Sequence, residues 1–118
     1  AAEGILGQQE GCISVSVSVS SDVEEIMHRI NQGVNEVDSG DGVMVITDMF
    51  GGTPSNLSLS LLGTGRLEVI TGANLPMLLK ILSSRSMRLE DVANEAKSAG
   101  RQGILVAGEV LKRKIANG

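Results

Sequence analysis

The sequence predicts an α/β protein, a three-layer, mostly parallel open sheet with helices on both faces, and three observations carry that expectation. Val43–Thr47, VMVIT, is a continuous apolar run, as in a central parallel strand covered on both sides. Val23, Ile26, Met27, Ile30, Val34 and Val37 recur at helical spacing. Segments of the two kinds alternate in the order β-α-β-α-β-α-α, which calls for parallel strands joined by right-handed crossovers.

In chain order, AAEGILGQQEG reads as the last turns of a helix followed by a loop. CISVSVSVS then alternates strictly from Ile13 to Ser20, with Ile13, Val15, Val17 and Val19 on one face and serines on the other. A period of two predicts a strand with one buried face, and the open serine face suits a sheet edge. Ser21-Asp-Val-Glu24 has the capping-box pattern of a hydroxyl acceptor with a carboxylate three residues on, so the first amphipathic helix is expected from there to about Val37. DSGDG breaks it before the Val43–Thr47 strand. Thr53 caps the next expected helix, with Pro54 at its first position, where a missing N–H costs nothing; it runs through SNLSLSLL to Gly63. RLEVITG is a third strand, and NLPMLLKIL a short helix with Asn74 before it and Pro76 in its first turn. A longer helical pattern follows from about Met87 through Leu89, Val92, Ala93 and Ala96, and on to Ile104, Leu105, Val110 and Leu111. Gly100 and Gly103 are the places for a kink or a split.

At 118 residues the chain is expected to form one domain. Its single aromatic residue, Phe50, leaves the core to Val, Ile, Leu and Met, and removes base stacking as a mode of nucleic-acid binding. A net charge of −4 disfavours polyanions and anionic membrane surfaces as partners. Cys12 is the only cysteine, so no internal disulfide forms and a reducing cytoplasm is expected. No stretch approaches the roughly 20 apolar residues of a membrane span, and no metal site or cofactor is expected.

The chemistry concentrates in Ile46–Asn56, ITDMFGGTPSN. Ligands of open α/β sheets bind beyond the carboxyl ends of the strands, where Asp48, Gly51, Gly52 and Thr53 fall. The glycines let backbone N–H groups approach a ligand. A helix beginning at Thr53 or Pro54 offers unpaired N–H donors to an anion, and the Thr53 and Ser55 hydroxyls add to them. Asp48 would repel an anion placed directly on it, and fits better as the group that orients an imidazole or a lysine. A plain βα turn, with Thr53 as cap and Asp48 accepting from loop amides, serves the pattern equally well. The pattern matches neither the Walker A nor the Rossmann fingerprint.

VITDMFGGTPSN resembles the signature of the mannose-type IIA domains of the bacterial sugar phosphotransferase system. The resemblance extends to SGDGV before that strand, EVITGANLPMLL after it and EAKSAGRQGI near the end, covering nearly the whole chain. It implies a cytoplasmic phosphoryl carrier that takes phosphate from the carrier HPr on a histidine, passes it to a IIB domain, and is usually a homodimer. It also implies that Asp48 bonds the histidine ring and that Gly51, Gly52, Thr53, Pro54, Ser55 and Asn56 line the phosphoryl pocket. Met49 and Phe50, flanking the turn, are then partner contacts or tuck under the loop.

In the family the histidine follows the first strand, just before a helix, and this sequence begins inside what looks like that helix. The domain, residues 1–118, is therefore expected to be N-terminally incomplete, lacking a strand that lies between the ISVSVSV and VMVIT strands, and inactive without its histidine. His28 is no substitute: at about 100° per residue it points roughly 150° from the apolar stripe of its helix, toward solvent. Cys12 is expected to be a small buried or edge-strand residue. A subunit feeding dihydroxyacetone kinase, and a regulatory IIA-like binding module without a transport role, are the alternative functions.

Overall fold

The computed structural model describes residues 1–16, 18, 22–48 and 67–117. Helix α1, Ala2–Leu6, is the helical tail expected at the start. Gly7 ends it with φ 88°, a backbone conformation open to glycine, while its N–H reaches the Glu3 carbonyl at 2.7 Å.

The strand expected over Ile13–Ser20 does not form in its described residues, 13–16 and 18. A strand exists through its ladder, and neither described strand pairs with this segment. It lies instead over helix α2, Val23–Val37. A Cβ built on Gly33 would stand 3.0 Å from both Ile13 Cδ1 and Val15 Cγ2, and Arg29 Nη1 donates to the Ser16 carbonyl at 2.8 Å. The alternation thus put two branched side chains on one side, but their counterpart is a helix rather than a neighbouring strand.

Helix α2 is capped by Asp22, not by Ser21. The Asp22 carboxylate accepts from the Glu25 N–H at 2.7 Å. Glu24 and Glu25 add negative charge to the positive end of the helix dipole. Its buried residues are Ile26, Ile30 and Gly33, whereas Val23, which the periodicity placed on the apolar stripe, is 58% exposed. The first turn has no described element above it to cover that side chain.

Strands β1, Val43–Ile46, and β2, Leu67–Ile70, pair in parallel with Val43 opposite Leu67 and Ile46 opposite Ile70. Alternate residues serve different neighbours. Leu67 packs with Ile26 and Ile30 of α2, while Met44, Ile46 and Ile70 pack on a second cluster of Met77, Ile81, Val92 and Ala96. That cluster is built by helices α3, Leu75–Ser83, and α4, Leu89–Gln102. Asn74 joins the two: its Oδ1 caps α3 by accepting from Met77 N–H at 3.0 Å, and its Nδ2 donates to the Gly100 carbonyl of α4 at 2.9 Å. Pro76 sits in the first turn, as expected.

The long helical pattern after Met87 divides at Gly103, and a separate helix α5 spans Ala107–Asn117. Gly100 does not kink α4; it is buried, with Met77 Cε 3.1 Å from where its Cβ would be. The described protein is thus a mixed α/β structure with a small parallel sheet and helices. Among the described residues no helix is long and apolar enough to cross a membrane. The helix expected from Thr53 falls outside the described residues.

Candidate functional site

Sheet pairing continues one residue past β1. Thr47 N–H donates to the Ile70 carbonyl at 3.0 Å, and the Thr47 carbonyl accepts from Ala73 N–H at 3.1 Å. The backbone just past β1 is therefore held on one side by the last residue of β2 and on the other by Ala73 beyond it. Asp48 follows immediately, at a bend and exposed. A fixed strand end delivering a solvent-facing carboxylate is the geometry a ring-orienting group needs: its position is set by the sheet, and its oxygens are free to accept. Across the register, β2 is followed by Thr71 and Gly72, and Gly72 turns the chain with φ 80°.

The Thr47 hydroxyl is the unusual atom here. Oγ1 is sealed from solvent and, among the described residues, has no hydrogen-bond partner. Such a group loses its water and gains nothing in return, which ordinarily costs about 1–3 kcal/mol. The sequence reading took Thr47 only as the last residue of a strand. A β-branched polar residue ending an apolar run beside the site acid was the available signal.

An open groove of about 440 Å³ lies between β2, α3 and α4, with Thr71, Asn74, Met77, Asn94, Lys97 and Arg101 among its walls. The two cations stand one helical turn apart on α4. Asp48 does not line it. Sequence reading did not single out this groove, because it is assembled from three separate elements.

Of the residues singled out in sequence, Met49, Phe50, Gly51, Gly52, Thr53, Pro54, Ser55 and Asn56 lie outside the described residues. His28 is exposed on α2, as the helical geometry required. Cys12 is neither buried nor in a strand. It is exposed, and Arg85 bridges it to the neighbouring backbone, Nη2 donating to Cys12 Sγ and Nη1 to the Glu10 carbonyl, each at 2.6 Å. The expectation of burial failed because the segment that carries it joins no sheet. Among the described residues, no group of three or more His, Cys, Asp and Glu side chains could hold one metal ion.

Comparison with known proteins gives the family of the chain. Residues 1–97 match the family model of the mannose-type IIA domain, described as the phosphotransferase system fructose IIA component. The chain belongs to that family. It is 30% identical over 116 residues to the fructose-specific EIIA component of the phosphotransferase system from Bacillus subtilis, covering 96% of this chain and 80% of that one. It is 29% identical over 106 residues to the mannose-specific EIIAB component of Escherichia coli, of which it spans 33%. Among solved structures it superposes on phosphotransferase component EIIA from Streptococcus agalactiae with TM-score 0.80 and 25% identity, covering 91% of this chain and 84% of that one. The IIA protein associated with the fucose utilization operon of Streptococcus pneumoniae gives TM-score 0.78 at 27% identity, with 93% and 82% covered. Family membership makes a role in sugar phosphotransfer the frame for reading Asp48.

Proposed function

We propose that this IIA-family chain is a phosphoryl carrier of the phosphoenolpyruvate-dependent sugar phosphotransferase system, working in the cytoplasm between phospho-HPr and a IIB domain. The observation that carries this function is Asp48, exposed just past a strand end where the preceding residue, Thr47, is hydrogen-bonded to both Ile70 and Ala73. The acceptor is the histidine that membership of this family implies. His28, exposed on α2, is not assigned that role.

In the transfer, a ring nitrogen of the acceptor imidazole attacks the phosphorus of phospho-HPr in line. The new N–P bond forms as the donor's N–P bond breaks, and that electron pair returns to the donor ring. Asp48 accepts a hydrogen bond from the other ring nitrogen, so the tautomer that leaves the attacking nitrogen unprotonated is favoured. Gly51, Gly52, Thr53, Pro54, Ser55 and Asn56 would line the phosphoryl pocket, and Met49 and Phe50 would meet the partner. The second transfer, to the IIB domain, repeats the displacement in the other direction.

The same proposal completes the fold as a three-layer sheet in which a further strand lies between the Ile13–Ser20 segment and β1. Its support is the alternating segment left without a ladder, and the two faces of the small sheet serving separate apolar clusters.

The deciding experiment is Asp48→Asn in the full polypeptide, with phosphorylation by phospho-HPr followed by rapid quench. The expected outcome is a fall on the order of 100-fold or more, since an amide favours the wrong tautomer. Unchanged kinetics would remove Asp48 from the mechanism.

A further inference from the structure

We infer that the Asp41–Gly42 peptide is a site of spontaneous covalent modification, where aspartate converts to isoaspartate through a cyclic imide. This chemistry is independent of the phosphotransfer function proposed above. Three observations converge on it. Asp41 is exposed, in the loop between the end of α2 at Val37 and the start of β1 at Val43. Among the described residues, neither its carboxylate nor the Gly42 N–H has a hydrogen-bond or ion-pair partner. The glycines on either side, Gly40 and Gly42, have φ of 103° and 111°, so no Cβ crowds the Gly42 nitrogen and the backbone can rotate there with little steric resistance.

The reaction needs only solvent. The Gly42 nitrogen attacks Cγ of the protonated Asp41 carboxyl, a step made unimolecular by the adjacency of the two groups. The new N–Cγ bond forms as a C–O bond breaks, the hydroxyl leaves as water with the amide proton, and a five-membered imide results. Water then adds to one of the two imide carbonyls. Opening at Cγ restores aspartate; opening at the α-carbonyl leaves the chain running through Cβ and Cγ, which is isoaspartate. The other aspartates lack this combination. Asp38 and Asp22 spend their carboxylates on the N–H groups of Gly40 and Glu25, at 2.9 and 2.7 Å. Asp91 precedes Val92, whose N–H is bonded to the Arg88 carbonyl at 2.9 Å, and Asp48 precedes a methionine. The place also matters for the fold. Val43 is 8% exposed and opens β1 opposite Leu67. One extra backbone atom lengthens the link from α2 by about 1.5 Å, against a register that moves only in whole residues. The modified chain therefore holds the start of β1 less firmly.

The test incubates the full polypeptide for several weeks at mildly acidic pH, beside Asp41→Glu, whose longer side chain would need a six-membered ring. Samples are digested with a protease that cleaves before aspartate and not before isoaspartate, and their thermal midpoints are recorded. Expected is a progressive loss of cleavage at Asp41 with unchanged peptide mass, while cleavage at Asp38 and Asp91 persists. The aged protein is also expected to show a lowered midpoint that aged Asp41→Glu does not share. Cleavage at Asp41 that persists as fully as at Asp38 and Asp91 overturns the inference. Loss of cleavage with the midpoint of fresh protein overturns the effect on β1 and upholds the modification.

Discussion

A methyl group added at Gly33 and one added at Gly103 meet different neighbours, and the difference sets opposite outcomes. At Gly33 the nearest atoms are the tips of Ile13 and Val15, both at 3.0 Å, on a segment that is itself half exposed and free to move aside. At Gly103 the new Cβ would lie 2.8 Å from Pro76 Cβ and still closer to Cγ, and the proline ring is fixed in the first turn of α3. Gly33→Ala is therefore expected to be neutral or to stabilise by up to about 1 kcal/mol, the helix-propensity difference between the two residues. Gly103→Ala is expected to destabilise by about 1–3 kcal/mol through overpacking. Paired urea denaturation curves decide this; equal midpoints for the two variants would refute the distinction. The same kind of local accounting explains why Asp22 displaces Ser21 as cap: its carboxylate reaches Glu25 N–H at 2.7 Å.

Among the elements, the α3–α4 pair with the sheet is where the described protein keeps most of its core. Ala96 is 0% exposed and Met77 is 4% exposed, and Met77 also touches the position where Gly100 lets the two helices approach. Glycine at 100 and methionine at 77 are thus one packing decision made on two helices. Met77→Ala would leave a cavity that the clamped Asn74 bridge, bonded to both helices, prevents from collapsing. A loss of about 2–5 kcal/mol is expected, read as a lower thermal midpoint. A loss below about 1 kcal/mol would mean that the pair can close over the gap. Helix α5 stands in contrast. Leu111 and Ile115 on it are 60% and 72% exposed, and Ile104 and Leu105 before it are 73% and 68% exposed. Its apolar residues contribute little to the described core, so its periodicity was legible in sequence while its role in the monomer's stability is slight.

For the whole molecule, that exposed C-terminal region supports the proposal that the protein is a homodimer. Sedimentation on dilution is expected to show a dimer, and a variant with Leu111→Lys and Ile115→Lys to shift toward monomer without loss of secondary structure; a monomer at every concentration would refute the proposal.

The strands at Val43 and Leu67, the helices around Ile26 and Met77, their turns, and the family were determined by sequence. Each depends on interactions spanning only a few residues: a run of apolar side chains, a helical period, an Asn before a Pro, the ITDMFGGTPSN signature. The split at Gly103 was open between kink and break until Pro76 was seen beside it, from a different helix. The alternating Ile13–Ser20 segment declared which residues share a face, yet not what the face meets, because a strand is defined by a partner that its own residues do not encode. Exposure of Cys12 and Val23 follows from the same cause. Tertiary structure alone decided that Thr47 carries an unpaired, buried hydroxyl. Whether a polar atom is sealed, and whether anything answers it, depends on neighbours brought in from distant parts of the chain.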